Sequence, residues 1–211
     1  MSRDRYTVLV PVKPPALAKT RLRELGDRAR RDLATAFAVD TVGAALASRL
    51  VVRVLAVTDD HVLAGALSEL GADVLPDATS DDLNATLVQA AAEMHRRDPD
   101  ARLVALCGDL PALRPEELVV ALEAAHPTGM SFVPDLDGIG TTAVVAPDLP
   151  TFRPSFGHYS RRRHLDAGAL EIGGLDVPGL RRDVDDRRSL TEAIALGVGP
   201  RTSLVATALR L

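Results

Sequence analysis

Residues 6–12 read YTVLVPV, a run of aliphatic and β-branched side chains that contains no charged residue. A short apolar run of this kind is typical of a strand buried on both faces. Residues 51–57 (VVRVLAV) and 103–107 (LVALC) have the same character. Between these runs apolar residues recur at helical spacing, for example at Leu33, Ala36 and later positions. The alternation predicts an α/β fold with a single-domain, doubly wound, mostly parallel sheet and right-handed crossovers.

The remaining elements follow from the same patterns and from glycine and proline at their ends. In a doubly wound sheet, ligands bind beyond the carboxyl ends of the strands. We therefore expect the chemistry in the loops after Val12, Val57, Cys107 and Ala146. Further helices are predicted at 61–70, 83–97, from Pro115 to about His126, at 161–170 and, as the last one, at 187–196; further strands are predicted at 72–75, 131–133 and 142–146, with a polar loop at 79–82.

Composition limits the possible classes of protein. A length of 211 residues is expected to form one domain, 1–211. A net charge of −4 argues against a nucleic-acid partner, and no apolar run approaches the roughly 20 residues of a membrane span. The single cysteine, Cys107, excludes an internal disulfide, and the charged segment 1–5 is unlike a secretory signal. These features predict a cytoplasmic protein with neither a nucleic-acid nor a membrane partner.

The loop after the first strand is basic. Lys13, Lys19 and Arg21 place three cations within nine residues, where a polyphosphate would lie. Neither G-x-G-x-x-G nor G-x-x-x-x-G-K-[ST] is present, so side-chain charge would have to replace the backbone amides of those loops. The alternative is a solvated basic loop without a ligand.

Acidic residues occur at two further positions. Gly108 and Asp109 directly follow a buried strand, and a carboxylate there is a natural ligand for Mg²⁺, with the glycine letting the backbone approach a ligand. The alternative is a turn in which Asp109 caps a helix. Asp183 and Asp185 project to the same side of an extended segment and could share that metal. Alternatively, Asp185 or Asp186 caps the next helix, and both roles can hold together.

Two glycine-containing segments suggest an anion site. Residues 137–142 (DGIGTT) combine flexible glycines with hydroxyls, and residues 152–160 (FRPSFGHYS) lead into a helix whose N-terminus would favour an anion. The following arginines, 161–163, are more often a solvated face. No H-E-x-x-H zinc motif or G-x-S-x-G nucleophile motif occurs, and Cys107 is expected to be inert packing.

The order of these motifs (VPVK…AKTRL, VTDD, LN, GDLP, DGIGTTA, FGHYSRRRH and RDVD) resembles the guanylyltransferases of coenzyme F-420 biosynthesis, over roughly residues 8–198. Members of that family act on phosphoenolpyruvate or 2-phospho-L-lactate and have the nucleotide-diphosphosugar transferase fold. The resemblance implies GTP as the nucleotide and Mg²⁺ as the cofactor.

The resemblance also implies roles for individual residues. It implies transfer of GMP from GTP to the acid's phosphate, with release of pyrophosphate. Lys19 and Arg21 would offset charge during this transfer. The resemblance assigns metal binding to Asp109 and Asp183. It assigns binding of the acid to Thr142, Gly157 and Ser160. The residues that it assigns to GTP are Lys13, Lys19, Arg21 and Gly108 and, more weakly, Asp59 and Asn84.

The sequence leaves two alternative functions open. The first is another nucleotidyltransferase of the same fold, for molybdopterin or a sugar phosphate, although the first loop lacks the L-x-G-G pattern expected there. The second is a catalytically silent nucleotide-binding protein, against which the two aspartates argue. Both acids carry the same phosphate and carboxylate; the alanine- and arginine-rich composition, typical of high-GC bacteria, favours phosphoenolpyruvate. The sequence gives no indication of the oligomeric state.

Overall fold

The computed structural model describes residues 5–77 and 82–211. Two sequence-based expectations fall largely outside these ranges: the charged N-terminus (1–4) and the polar loop at 79–81. The strands are β1 (Tyr6–Pro11), β2 (Val51–Val57), β3 (Asp73–Leu75), β4 (Arg102–Leu106), β5 (Ser131–Pro134), β6 (Thr141–Ala146) and β7 (Leu170–Glu171). The helices are α1 (Asp27–Ala47), α2 (His61–Glu69), α3 (Leu83–Arg97), α4 (Pro115–Glu123), α5 (Ser160–Asp166), α6 (Pro178–Arg181), α7 (Arg187–Leu196) and α8 (Pro200–Leu209), and a 3₁₀ helix covers Thr20–Leu25.

The described strands form one sheet in the order β3-β2-β1-β4-β6-β5-β7. Neighbouring strands are parallel except at β6, which runs antiparallel to both β4 and β5. The predicted mostly parallel sheet is thus confirmed, but one expectation about it is wrong. Ala146 pairs with Leu103 at the start of β4, so the loop after Ala146 leaves the edge opposite to the one where β1, β2 and β4 end. The loop before β6 reaches the predicted ligand edge instead.

Both faces of the sheet are buried, as the apolar runs predict. Along β1 the side chains alternate: Val8 and Val10 pack with α1, α2 and α4, whereas Leu9 packs with α3 on the other face. This two-sided burial fixes the strand between helices, so that the loops at its carboxyl end start from a rigid base.

The start of α3 agrees with the sequence because a capping residue is present, whereas α5 ends earlier than predicted. Asp82 accepts hydrogen bonds from the backbone of Asn84 (2.9 Å) and Ala85 (3.1 Å), so α3 begins where predicted. The helix predicted at 161–170 is wrong at its end. It stops at Asp166, Gly168 has φ +80°, and the chain then enters β7.

A second error is that α7 is not the last helix, because α8 follows it. Only Thr202 and Ala206 are buried in α8, so the sequence has no apolar stripe that would predict this helix. Instead α8 is tied to α1 by Asp40, which accepts from the backbone N–H groups of Arg201 (3.0 Å) and Thr202 (2.7 Å). No helix in the described ranges has the length and apolar character that crossing a bilayer requires.

Candidate active site

The backbone brings the predicted aspartates to one place. Asp109 follows β4, and its carbonyl accepts a hydrogen bond from the N–H of Val184 (3.1 Å), which places Asp183 and Asp185 on either side of that contact. Gly108 packs closely here: a Cβ would lie 3.0 Å from Val12 Cγ2 and 3.1 Å from the Pro11 carbonyl oxygen. A larger residue at 108 would therefore have to push the ends of β1 and β4 apart by a few tenths of an ångström.

Lys19 lies within this acidic group. Its side chain is 11% exposed, and its ammonium bonds the Asp109 carboxylate and, at 2.9 Å, Asp185 Oδ1. The backbone of Lys19 is left-handed, with φ 54° and ψ 44°, and the 3₁₀ helix starts at the next residue. An unusual backbone conformation thus directs a lysine at two carboxylates, a strained arrangement found mostly at functional sites.

The charges in this group perturb one another. Burial, and next the Asp109 carboxylate, raises the pKa of Asp183 to about 7; Asp185 and Asp135 act in the same direction, and Lys19 opposes them. Burial lowers the pKa of Lys19, but the carboxylates of Asp109 and Asp185 outweigh it and hold that pKa well above its ordinary value. Burial first, and the neighbouring carboxylates second, therefore let Asp183 retain a proton near neutral pH, an environment in which a bound cation would stabilise the ionised form.

The donor set fits a magnesium ion better than a structural zinc. Within the described part of the chain, no three His, Cys, Asp or Glu side chains converge as a closed metal cage. Mg²⁺ needs only one or two protein carboxylates and leaves its other positions to phosphate oxygens and water. Asp109 and Asp183 supply such a pair. Asp186 caps α7, accepting from Ser189 N (2.9 Å), so the capping alternative is confirmed for Asp186 and not for Asp185.

The basic loop is held by a residue that the sequence analysis missed. Arg30 of α1 is 4% exposed, and its guanidinium donates to the carbonyls of Ala18, Pro15 (2.9 Å) and Ala16 (3.0 Å). The sequence indicates the burial of Arg30 only through its position three residues before Leu33, on the buried face of α1. Lys13 and Arg21, in contrast, are both exposed on this loop, where a polyanion could reach them.

Thr142 has the feature expected of a ligand-binding hydroxyl. Its side chain is fully buried, and its Oγ1 has no hydrogen-bond partner among the described residues. Its carbonyl accepts from Cys107 N (2.8 Å), so Thr142 lies beside Cys107, which precedes Asp109 by two residues. A buried hydroxyl without a partner is costly and calls for a ligand or water. Burial raises the pKa of the Cys107 thiol, which agrees with an inert cysteine.

Gly157 lies on the turn before α5, and Ser160 is the first residue of that helix. Gly157 has φ +121° and Tyr159 φ +56°, so the turn is tight, and Ser160 is 2% exposed. The N–H groups of Ser160 and Arg161 donate to the carbonyls of Gly157 (3.1 Å) and Ile139 (3.2 Å). These two amides are therefore used within the protein, which leaves the Ser160 hydroxyl as the candidate donor from this residue.

Asn84 joins the start of α3 to the segment before α5. Its Nδ2 donates to the Phe156 carbonyl (3.1 Å), and its Oδ1 accepts from Phe156 N (2.8 Å). Sequence reasoning proposed Asn84 for the nucleoside and missed this pair of contacts. Asp59 is exposed, and its Oδ1 accepts from Asp77 N (2.9 Å), at the carboxyl edge near β2.

A cavity of about 360 Å³ opens beside the same edge of the sheet. It is lined by Val57 and Leu75 at the ends of β2 and β3 and by Thr86, Gln89 and Glu93 of α3. The edge therefore offers a recess with apolar and polar groups between the ends of β2 and β3 and helix α3.

The loop before β6 is held by arginines that the sequence analysis did not single out. Arg182 is 3% exposed and ion-pairs with Asp137 (3.6 Å) and Glu192 (3.2 Å), and Arg188 also contacts Asp137 (3.0 Å). The arginines at 161 and 162 pair with Glu171 and Asp166, in agreement with a solvated face.

Comparison with known proteins gives one consistent family. The family model described as guanylyl transferase CofC like matches residues 6–204. A Streptomyces avermitilis protein named phosphoenolpyruvate guanylyltransferase is 47% identical over 206 residues, covering 97% of this chain and 95% of that protein. A protein of the same name from Thermomonospora curvata is 47% identical over 202 residues, covering 95% and 88%.

Solved structures agree on the fold. A nucleotidyl transferase from Methanothermobacter superposes with a TM-score of 0.64 at 18% identity, covering 91% of this chain and 97% of that one. The 4-diphosphocytidyl-2C-methyl-D-erythritol synthase of Anaerococcus prevotii gives a TM-score of 0.58 at 10% identity, covering 91% and 96%. At these identities the similarity concerns the nucleotidyltransferase fold alone.

Proposed function

Because the chain belongs to the CofC-like guanylyl transferase family, we propose that it joins GMP from GTP to phosphoenolpyruvate and releases pyrophosphate, a step in coenzyme F-420 biosynthesis. The name shared by its relatives favours phosphoenolpyruvate over 2-phospho-L-lactate. The observation that carries the proposal is the convergence of Lys19 with the carboxylates that follow β4 and precede α7. A site that combines an ammonium group with carboxylates suits a reaction in which negative charge is redistributed among phosphate groups.

Asp109 and Asp183 are the residues that would hold Mg²⁺. When bound there, the ion would neutralise charge on the reacting phosphates and help to orient them. Burial, and next the charge of Asp109, raises the pKa of Asp183, and a divalent cation bound there would offset both effects by stabilising the ionised carboxylate, which supports this role. Asp185 is 56% exposed and paired with Lys19, so it serves as the partner of the lysine in the absence of substrate.

The acid lies on the β6 side of these aspartates in this proposal. The Thr142 hydroxyl, which has no partner in the described residues, donates to the acid, and the Ser160 hydroxyl provides a second contact. At Gly157 the absence of a side chain lets the anion approach the backbone. These contacts fix the acid's phosphate so that one oxygen faces the α-phosphorus of GTP.

The transfer itself needs little covalent help from the protein. An acid phosphate is already ionised near neutral pH, so no general base is required to activate it. Lys19 and Arg21 offset the charge that develops on the departing pyrophosphate, and Lys13 contributes to the same field. Catalysis thus rests on positioning and on fixed positive charge.

The nucleoside lies toward the ends of β2 and β3. Asp59 and the N-terminal end of α3, which carries Asn84, border this region, whereas the missing side chain of Gly108 accommodates Pro11 and Val12 and does not face the nucleoside. The Nδ2 and Oδ1 atoms of Asn84 both bond the backbone of Phe156, next to Gly157 in the region proposed for the acid. An Asn84 contact to the nucleoside would therefore link the GTP site to the acid site.

The test is a matrix of substrates. Purified protein is incubated with GTP or ATP, with phosphoenolpyruvate or 2-phospho-L-lactate, and with or without Mg²⁺, and the products are identified by mass. We expect a guanylated acid and pyrophosphate only with GTP and Mg²⁺, and faster with phosphoenolpyruvate. Equal rates with ATP would remove the guanylyl assignment, and no product with either acid would favour a silent or different nucleotidyltransferase.

A further inference from the structure

His164 is a buried histidine that the proposed reaction does not use. It lies on α5, is 0% exposed, and has both ring nitrogens engaged. Ser155 N donates to its Nε2 (2.9 Å), and its Nδ1 lies 3.0 Å from Thr141 Oγ1. The ring is stacked on Phe132 with centroids 5.4 Å apart, and the edge of Phe156 packs at 5.6 Å.

The ring is neutral and has one defined tautomer. Burial lowers the pKa of His164 to about 4, although the Ser160 backbone acts in the opposite direction. Because Nε2 accepts a hydrogen bond, the proton is on Nδ1, which therefore donates to the Thr141 hydroxyl. A neutral ring with fixed donor and acceptor positions can hold two segments at a defined separation.

Those segments are the ones that carry the residues proposed for the acid. Thr141 immediately precedes Thr142 on β6, Ser155 lies two residues before Gly157, and Ser160 lies one turn before His164 on α5. One imidazole thus touches each of the three segments. We propose that His164 is a positioning residue that sets the affinity for the phosphorylated acid by holding Thr142, Gly157 and Ser160 in register. This inference rests on the function proposed above.

The physical reason lies in the hydrogen bonds that the ring completes. Without the imidazole, the N–H of Ser155 and the Thr141 hydroxyl lose their partners in a buried place, so the chain must shift to find water or another acceptor. A shift of about 1 Å in a binding loop is enough to weaken ligand contacts severely. A histidine that merely filled the core would instead affect stability and leave the relative use of the two substrates unchanged.

The test compares His164→Leu with His164→Gln. Leucine removes both hydrogen bonds, whereas glutamine keeps an acceptor at a distance similar to Nε2. We expect His164→Leu to raise KM for phosphoenolpyruvate by about ten- to a hundredfold and to leave KM for GTP within about twofold. His164→Gln should recover part of the loss. The amide of Ser155 should exchange with solvent at least about tenfold faster in the leucine variant, a readout that does not depend on turnover.

A matched control separates positioning from stability. Leu67→Ala also empties a fully buried position, but on α2 at the far edge of the sheet. It should lower Tm with no change in KM for the acid. If His164→Leu does not fold, Thr141→Val, which removes only the hydroxyl partner, carries the test with a rise of about three- to tenfold in KM for the acid.

The outcomes distinguish the two proposals. A wild-type protein that forms no guanylated acid would overturn the proposed function. An active wild type whose His164→Leu variant keeps its KM for phosphoenolpyruvate, or loses use of both substrates equally, would overturn the role of His164 and leave the function intact.

Discussion

Replacing Lys19 by methionine removes the ammonium that bridges Asp109 and Asp185 while keeping a side chain of similar length. Two opposite consequences are expected. The metal-free protein loses stability, because the carboxylates remain without their cation. At the same time the empty acidic group becomes a better site for Mg²⁺, since the ammonium no longer competes with it.

The magnitudes follow from burial and charge. Removing one partner of a fully buried ion pair costs about 3–5 kcal/mol. Here the side chains of Asp109 and Asp185 are 23% and 56% exposed, so water screens them. We therefore expect a loss of about 1–2 kcal/mol, or roughly 2–8 °C in Tm for a chain of this size. Two unit charges about 4 Å apart repel by about 1 kcal/mol in water, and the double charge of Mg²⁺ raises this to about 2 kcal/mol, so Mg²⁺ should bind roughly five- to thirtyfold tighter.

The assay is calorimetric titration of Mg²⁺ into nucleotide-free protein, together with thermal unfolding in EDTA and in excess Mg²⁺. Excess Mg²⁺ should restore much of the Tm of Lys19→Met, because binding to the native state stabilises it by mass action. Turnover should nevertheless fall, since the charge proposed to face pyrophosphate is gone. Lys13→Met is the control for the Mg²⁺ titration and for thermal unfolding, because Lys13 is exposed on the same loop and forms no ion pair within the described residues. It is not a control for turnover, since Lys13 is itself proposed to act on GTP.

Two results would refute the reasoning. An unchanged or weaker affinity of Lys19→Met for Mg²⁺ would mean that the lysine does not compete for these carboxylates in solution. Normal turnover by the same variant would mean that Lys19 has no part in the transfer.

Three further outcomes are expected. Asp109→Asn should keep the fold, because the contact from Val184 uses the Asp109 backbone, and should lower the Mg²⁺-dependent rate by roughly a hundredfold or more; near-normal rates would disprove the metal assignment. Ser160→Ala should raise KM for the acid by about ten- to a hundredfold with KM for GTP unchanged, whereas a loss of Tm alone would make Ser160 purely structural. Finally, the pKa of Asp183 is raised to about 7 from an ordinary 3.8. The native metal-free protein therefore holds a proton that the unfolded chain releases. The free energy of unfolding should consequently fall as pH rises from about 4 through 7. Denaturant unfolding in EDTA at several pH values should show a weaker pH dependence of the unfolding free energy for Asp183→Asn than for the wild type. The comparison isolates Asp183 from His164, whose lowered pKa makes stability rise with pH instead. An identical pH dependence in the two proteins would exclude Asp183 as the source.

Local sequence patterns were sufficient for the elements that build the frame. The apolar runs in β1, β2 and β4 predict strands buried on both faces, because no other arrangement removes a continuous run from water. Asp82 and Gly71 mark the start of α3 and the end of α2, since capping and positive φ are properties of single residues. The family also followed from the order of short motifs along the chain.

The composition of β6 does not show its direction, because buried parallel and antiparallel strands look alike. The length of the preceding loop does show it: six residues separate β5 from β6, too few for a crossover between parallel strands, so the two must be antiparallel. This constraint was not used in predicting the fold, and the loop after Ala146 was assigned to the wrong edge of the sheet. The roles of Thr142, Gly157 and Ser160 stay predictions, although the unpartnered hydroxyl of Thr142 supports one of them.

The sequence by itself determined the buried strands and helices, the family and the candidate carboxylates. Only the tertiary structure decided which of these groups meet. Lys19 contacts Asp109 across 90 positions of sequence, and Asn84 contacts Phe156 across 72. The engagement of both ring nitrogens of His164 likewise requires β6 and the turn before α5 to pack together. Such contacts depend on how elements pack, and a periodic pattern reports only which face of each element leaves water.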